Sequence, residues 1–338
     1  MSTSLLSIGI SGLQANQSQL STIGHNISNA NTEGYTRQEV ITETKNSQFI
    51  GVGYIGTGVE VTQVRRIADE FLTNEIREST QSFNSLESYE TNIEQIDRLM
   101  ADDRTGLTPA LADFFASAQS AADNPSYIPT REVFIGQANS LADRFNTIQD
   151  KLESQNTVIN GQISALTSEI NALSEGIAQL NQDISFSSGD ITYKAPNDLL
   201  DQRDELVRKL SEKINIEVVE HEGVYDISIG NGQTLVLGFD VGRLETIAGD
   251  TDPSRKDVKF VSSTEDLNLT EKITGGELGG LLTFRREILD TSLNSLGRIA
   301  IAVSSEINNQ HQLGLDLEGN FGEDIFQDLN APELTRDR

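Results

Sequence analysis

Apolar side chains recur at alternating steps of three and four over most of this 338-residue chain, the spacing that lines one face of a helix. Leu72, Ile76, Phe83, Leu86, Ile93 and Met100 mark a first long helix that breaks at Ala101-Asp102-Asp103. A shorter one starts at Thr105-Gly106-Leu107-Thr108-Pro109 and runs through Leu111, Phe114 and Phe115 to Ala122. Beyond a turn bracketed by Pro125 and Pro129, Leu141, Phe145, Ile148, Leu152, Ile159, Leu166, Ile170, Leu173, Ile177, Leu180 and Ile184 continue the pattern without an interrupting proline. At 1.5 Å per residue such a helix reaches roughly 80 Å. A last helix begins near Gly275 and passes through Leu289, Leu293, Leu296, Ala300, Val303 and Ile307 to His311. The period falls to two over residues 40–64 and 214–261, and Asn231-Gly232 between alternating runs signals a hairpin. Together these periods predict a mainly α chain with a small antiparallel β part (α+β), an elongated helical bundle or coiled coil with an inserted β-hairpin unit.

The first helix differs from the others. Leu6, Leu13, Leu20 and Ile27 stand seven apart, with Ile10 and Ile23 filling intermediate places, which is the narrow seam of a supercoiling helix. Its remaining positions are mostly Ser, Gln, Asn and Gly, and no Lys, Arg, Asp or Glu occurs before Glu33. A helix so poor in propensity needs neighbours, so the seam is expected to be disordered alone and to order when partners bury it. Asn29-Ala30-Asn31-Thr32-Glu33-Gly34-Tyr35 supplies its stop, since Asn and Gly tolerate the backbone of a helix end or turn.

Charge and composition narrow the function classes. A formal net charge of −27, from 52 acidic and 25 basic residues, opposes binding to nucleic acid or to anionic lipid. Cysteine is absent, which removes disulfides, thiolate zinc sites and cysteine nucleophiles. There is no apolar run of membrane-spanning length, and the N-terminus lacks the basic and apolar regions of a secretory signal. Export would have to read another address.

Candidate chemistry is sparse. Gly51, Gly53 and Gly56 have the spacing of a dinucleotide fingerprint, but Val59-Glu60-Val61-Thr62-Gln63-Val64 follows them with strand rather than helix periodicity. In Asn197-Asp198-Leu199-Leu200-Asp201-Gln202-Arg203-Asp204-Glu205-Leu206, the acids Asp198, Asp201 and Glu205 share roughly one helix face, as a metal site would need. Pairing of Arg203 and Arg208 with Asp204 and Glu205 is the simpler reading, with Asn197 or Asp198 as the N-cap. Asp316, Glu318 and Asn320 hint at a calcium loop, yet Phe321 and Gln327 stand where an EF-hand requires Gly and a bidentate acid. His25, His221 and His311 fall in three separate segments, and no nucleophile elbow is present. No enzyme, metal or cofactor site is expected.

The first helix followed by Ile27-Ser28-Asn29, Asn31-Thr32 and Gly34-Tyr35 resembles the signature of the flagellar axial proteins, the rod, hook and hook-associated subunits. Within that group the stretches at 36–38, 197–206, 229–236, 275–290 and 308–319 are most similar to the hook-associated subunits of the hook–filament junction. The likeness runs from Ser4 to about Phe326. It implies a structural subunit joining hook to filament, exported unfolded through the flagellar type III channel without cleavage and located outside the cell. It also implies assembly through terminal helices with other axial subunits, namely the hook protein, a second junction protein and further copies in a ring, with an export chaperone as another partner. The assembly seam would be Leu6, Ile10, Leu13, Leu20, Ile23 and Ile27, and the signature Asn29, Asn31, Thr32, Gly34 and Tyr35. A hook or distal rod subunit is the alternative, though such relatives are mostly β between their terminal helices. A secreted coiled-coil adhesin would call for a cleaved signal or an anchor.

The expected organisation is an axial helix with signature (1–35), a strand and turn segment (36–65), a long-helix bundle (66–212), an antiparallel insertion (213–265), a returning helix (274–312) and the start of a further β region (313–338). Members of the resembled group continue into more β structure and close with C-terminal helices. This chain ends at Glu333-Leu334-Thr335-Arg336-Asp337-Arg338, so a fragment or truncated product is expected, with a seam lacking its intramolecular partner.

Overall fold

The computed structural model describes residues 5–49, 51–100, 106–188, 196–230, 232–250, 252–261 and 266–329. The expected helix break at 101–105, Ala195, Asn231 and the tail at 333–338 lie outside them. The chain is mainly helical with small antiparallel sheets. Helix α1 (Leu5–Ser28) leads into strand β1 (Gln38–Thr44), the short strands β2 (Gln48–Phe49) and β3 (Tyr54–Ile55), and β4 (Val59–Arg66). Strands β1 and β4 pair antiparallel with Val40 opposite Val64 and one irregularity after Ile41. Between them β2 and β3 form a second small hairpin, and Gly51, at φ +90°, belongs to its turn. Gly56 leads into β4 rather than a helix, so these glycines do not cradle a phosphate.

Helix α2 (Glu70–Met100) is capped by Asp69, whose carboxylate accepts the Phe71 and Leu72 amides at 3.0 and 3.2 Å. Helices α3 (Leu107–Asp123) and α4 (Ile128–Ser188, 61 residues) follow where the periodicity put them, and α5 (Asn197–Lys213) forms over the acidic stretch read as a helix. Next, β5 (Ile216–His221), β6 (Val224–Ile229), β7 (Thr234–Leu237) and β8 (Asp240–Val241) make a four-stranded antiparallel sheet in sequence order. Glu222 and Gly223, at φ +52° and +83°, close the β5–β6 turn. Across the following turn Ile227 faces Val236. Strands β9 (Arg243–Ala248), β10 (Lys256–Val261) and β11 (Asp266–Asn268) form a second sheet ordered β11-β10-β9. Helix α6 (Gly276–Phe284) passes through a π-helical turn (Arg285–Leu289) into α7 (Asp290–Gln312).

The chain divides into two compact units. One comprises Met1–Ser85, Ala165–Ile247 and Asp257–Gly279, and buries Ile170, Ile177, Leu210, Ile227, Leu235, Leu244 and Val258. Gly276 enters α6 at φ +69°, and a Cβ there would overlap the backbone of Ile214. The other comprises Leu86–Ser164, Ala248–Lys256 and Gly280–Arg338, where Phe114, Ala138 and Leu141 pack with Phe134, Phe145, Val303, Ile307 and Phe326. In this second unit Asp316 closes its own turn by accepting the Glu318 and Asn320 amides, both at 2.8 Å, and Leu315 bridges Phe321. The hint of a calcium loop is therefore an Asx turn.

Three expectations need correction. Helix α1 is continuous rather than disordered, because a face the seam pattern ignored docks it. Neither Asn197 nor Asp198 caps α5, since both side chains bond residues far away in sequence, Val64 and Gln38. Arg203 pairs with no carboxylate among the described residues; it is buried on the Asn181 amide oxygen and the Gly223 carbonyl.

Candidate functional site

Helix α1 carries two stripes of heptad spacing on nearly opposite faces. Along the predicted seam Leu6, Leu13, Leu20 and Ile27 are 69 to 72% exposed, with Ile10 and Ile23 about half exposed. The other stripe, Ile8, Ser11, Ala15, Ser18, Thr22, His25 and Asn29, faces the molecule, and its Ser11 and Ala15 are buried against β1 and β4. Small side chains let helix and hairpin approach closely. Ser11 Oγ donates to the Ile8 carbonyl (2.8 Å) and accepts the Val59 amide (3.2 Å), and a Cβ on neighbouring Gly58, at φ +110°, would overlap it. The helix is thus fixed from behind and presents its apolar seam outward.

The end of α1 is tied down by polar contacts. Asn26 bonds Gln38 in both directions, accepting its amide and donating to its carbonyl, each at 2.9 Å, and also accepts the Tyr35 hydroxyl at 2.7 Å. Asn29 donates to the His25 carbonyl at 3.1 Å, which satisfies one of the helix's last acceptors, and Thr32 donates to the Asn29 side chain. Gly34 adopts φ +77°, and a Cβ there would lie 2.9 Å from Glu205 Cβ, so both conformation and space demand glycine. The Tyr35 ring stands edge-on to His25 at 5.4 Å. Asn31 is exposed and bonds no described side chain.

Helix α5 supplies the anchor. Asp201, nearly buried, accepts the Thr36 amide (3.0 Å) and Arg66 (2.9 Å), while Asp204 accepts Arg66 (2.7 Å) and the Tyr225 hydroxyl (2.9 Å). Gln38 donates to Asp198 at 2.9 Å, and His25 lies 3.4 Å from the same carboxylate. Arg208 bridges Glu205 and Glu212 on its own helix to Glu33 in the signature turn. Burial works against the charge of Arg66, yet Asp201 and Asp204 outweigh it and hold the guanidinium above its ordinary pKa. Arg208 in turn holds Glu205 below the usual carboxylate range. Burial, then Asp198 and Asp201, push the Tyr35 phenol up, so it stays a hydrogen-bond donor.

Two sequence stretches about 165 residues apart therefore form one joint. The acids considered for a metal diverge to different cationic or amide partners, and no His/Cys/Asp/Glu group suited to a metal occurs among the described residues. Asn26, Gln38 and Arg66 are essential to the joint and escaped sequence reasoning. The Arg65-Arg66 pair that ends β4 was the one available signal. Among the described residues no helix is long and apolar enough to cross a membrane.

Comparison with known proteins matches this layout. A family model described as flagellar hook-associated protein FlgK helical domain matches residues 93–326, and one described as flagella basal body rod protein matches residues 6–36. The chain belongs to the FlgK hook-associated family. Flagellar hook-associated protein 1 of Salmonella typhimurium is 38% identical over 327 residues, covering 96% of this chain and 59% of that relative. The protein of the same name from Bacillus subtilis is 27% identical over 347 residues, covering 93% and 68%. The solved structure of the flagellar hook junction protein FlgK from Burkholderia pseudomallei superposes with a TM-score of 0.70 at 31% identity, over 74% of this chain and 46% of that one. This chain spans about three fifths of the Salmonella relative's length. FlgK membership places it among the proteins of the bacterial flagellum and its axial components, and the rod-protein match coincides with α1 and the signature turn.

Proposed function

We propose that this chain is a structural, non-catalytic subunit that joins hook to filament, leaves the cell by the flagellar type III route and assembles outside it through α1. Its partners on this reading are the hook protein, a second junction protein and further copies of itself in a ring. The observation that carries the reading is the exposed apolar heptad of α1 on a helix whose opposite face is already docked. A seam of this length offers a coiled-coil partner about six apolar knobs without any refolding of the joint. The joint then acts as a bracket that sets the direction in which the seam leaves the helical part.

The test is to replace Leu13 and Leu20 by Asp in the encoding gene and to measure incorporation into isolated hook–filament structures. Both side chains face solvent, so the purified variant should keep its thermal midpoint, the stability change staying within about 0.5 kcal/mol, while incorporation is lost. Normal incorporation of the double variant would refute assembly through this face.

A further inference from the structure

From Asn46 to Val59, the far end of the β1–β4 hairpin, the chain carries no Asp, Glu, Lys or Arg. Strands β2 and β3 form a finger there, with Phe49 opposite Tyr54 and their rings 5.3 Å apart. Nothing in the described chain covers its apolar side chains. Phe49 is 59% exposed, Val52 93% and Tyr54 76%, and a Cβ on Gly51, Gly53 or Gly56 would meet no described atom within 4 Å. A two-stranded hairpin of this size is marginal by itself, and contiguous exposed apolar groups mark a contact surface.

Two contacts of α1 give the finger its direction. Asn26, near the end of the helix, holds Gln38 at the start of β1, while Ser11 holds Val59 at the start of β4. Because Val59 pairs with Thr44, the strands run backwards along α1, and the finger leaves them at the end where the seam begins. Strands β1 and β4 cover the face of α1 opposite the seam, so the finger lies on the wrong side of the helix to cover its own Leu13.

We propose that the finger of one copy packs on the α1 seam of a second copy of this chain. Charge selects that occupant. Each copy carries −27, and two such chains approach most easily where the meeting surfaces bear no charge. The finger meets that condition, and so does α1, which has no Lys, Arg, Asp or Glu. A basic partner would instead gain most on the acidic faces elsewhere. Because finger and seam are different surfaces, the contact repeats from copy to copy into a ring or helical array rather than closing a pair. It is also small. Two aromatic rings at roughly 150–250 Å² each, with Val52, stay below the roughly 800 Å² per partner of a stable interface. The contact therefore adds to an assembly without holding two free chains together. It rests on the reading of α1 as an assembly face.

The lack of cysteine allows a direct test on the full chain. Val52→Cys and Leu13→Cys chains, each changed at an exposed position, are mixed at high concentration and treated with a short bismaleimide. Mass spectrometry then counts the linked peptides. The finger–seam product should exceed that of Val52→Cys with Val158→Cys, a half-exposed site on α4, by about tenfold, the factor that burying one such side chain supplies. Adding Phe49→Ser and Tyr54→Ser should bring it down to the control level while the thermal midpoint stays in place. Dominant finger–finger links would mean that fingers meet each other, and a finger–seam yield at the control level would mean that no contact exists; either overturns the proposal. The incorporation test of the Leu13 and Leu20 variant separates the two readings. Lost incorporation with control-level linking removes the finger contact alone, whereas normal incorporation removes α1 as the assembly face.

Discussion

Asp201 concentrates the joint's energetics in one side chain. It lies 7% exposed, accepts a backbone amide from the signature turn and shares Arg66 with Asp204, so its charge is both desolvated and fully used. Asp198, three residues earlier on the same helix, is 62% exposed and meets Gln38 and His25 in water. Burial therefore separates two acids that look alike in sequence. Replacing Asp201 by Asn keeps an acceptor for Thr36 but removes half of the pairing of Arg66; a loss of about 1–3 kcal/mol is expected. Replacing Asp198 by Asn should cost less than about 0.5 kcal/mol, as for an exposed pair. Denaturant midpoints check the first difference, and hydrogen exchange at the Thr36 amide checks its place, since only the Asp201 variant should speed it. Equal effects of the two substitutions would remove Asp201 from the centre of the joint.

Between helices and strands one device recurs. Asn26, Asn171 and Asn181 each stand on a helix and bond both the N–H and the C=O of a single strand residue, Gln38, Leu244 and Tyr225 respectively, and Asn308 does the same to Phe326 in a bend. The amide side chain imitates the next strand and supplies one donor and one acceptor to an edge that has neither. Asn171→Ala should leave the Leu244 pair unmade at a cost of about 1–3 kcal/mol, whereas Asn139→Ala, at an exposed position of α4, should change the denaturant midpoint by less than about 0.5 kcal/mol. The same device explains what was legible beforehand. Apolar periodicity located α2 to α4 and the switch to strands, because burial of Ile170, Ile177 or Leu244 acts on each side chain separately and leaves a regular trace. The docked stripe of α1 left a weak one, since Ser11, Ala15, Ser18 and Thr22 are small rather than apolar. The asparagines read as polar filler, because a bond to a residue 12 to 73 positions away has no local pattern. Asp198, Asp201 and Glu205 suggested a metal for the converse reason: spacing on one helix shows which acids share a face, and says nothing of the cation brought from β4.

At the scale of the molecule the surplus of 52 acids over 25 bases exceeds what local pairing absorbs. Arg66, Arg208, Lys213 and Arg255 are each engaged by two or more carboxylates, and the excess of 27 acids over bases leaves many carboxylates without a cation of their own. Self-repulsion favours keeping a subunit dispersed and opposes its compact state. Salt should therefore stabilise the fold. Between 0.01 and 0.1 M the screening length falls from about 30 Å to about 10 Å, which damps repulsion between distant carboxylates. The pair of Arg66 with Asp201 is too buried to be damped equally, and exposed pairs such as Arg98 with Glu94 lose at most about 1 kcal/mol. The thermal midpoint at pH 8 should accordingly rise with sodium chloride over this range. Near the isoelectric point of 4.3 the same salt series should be almost flat, because the net charge that drives the effect has been titrated away. A midpoint that fell with salt at pH 8 would mean that the paired clusters around α5, rather than the unpaired acids, govern the electrostatics of the folded state.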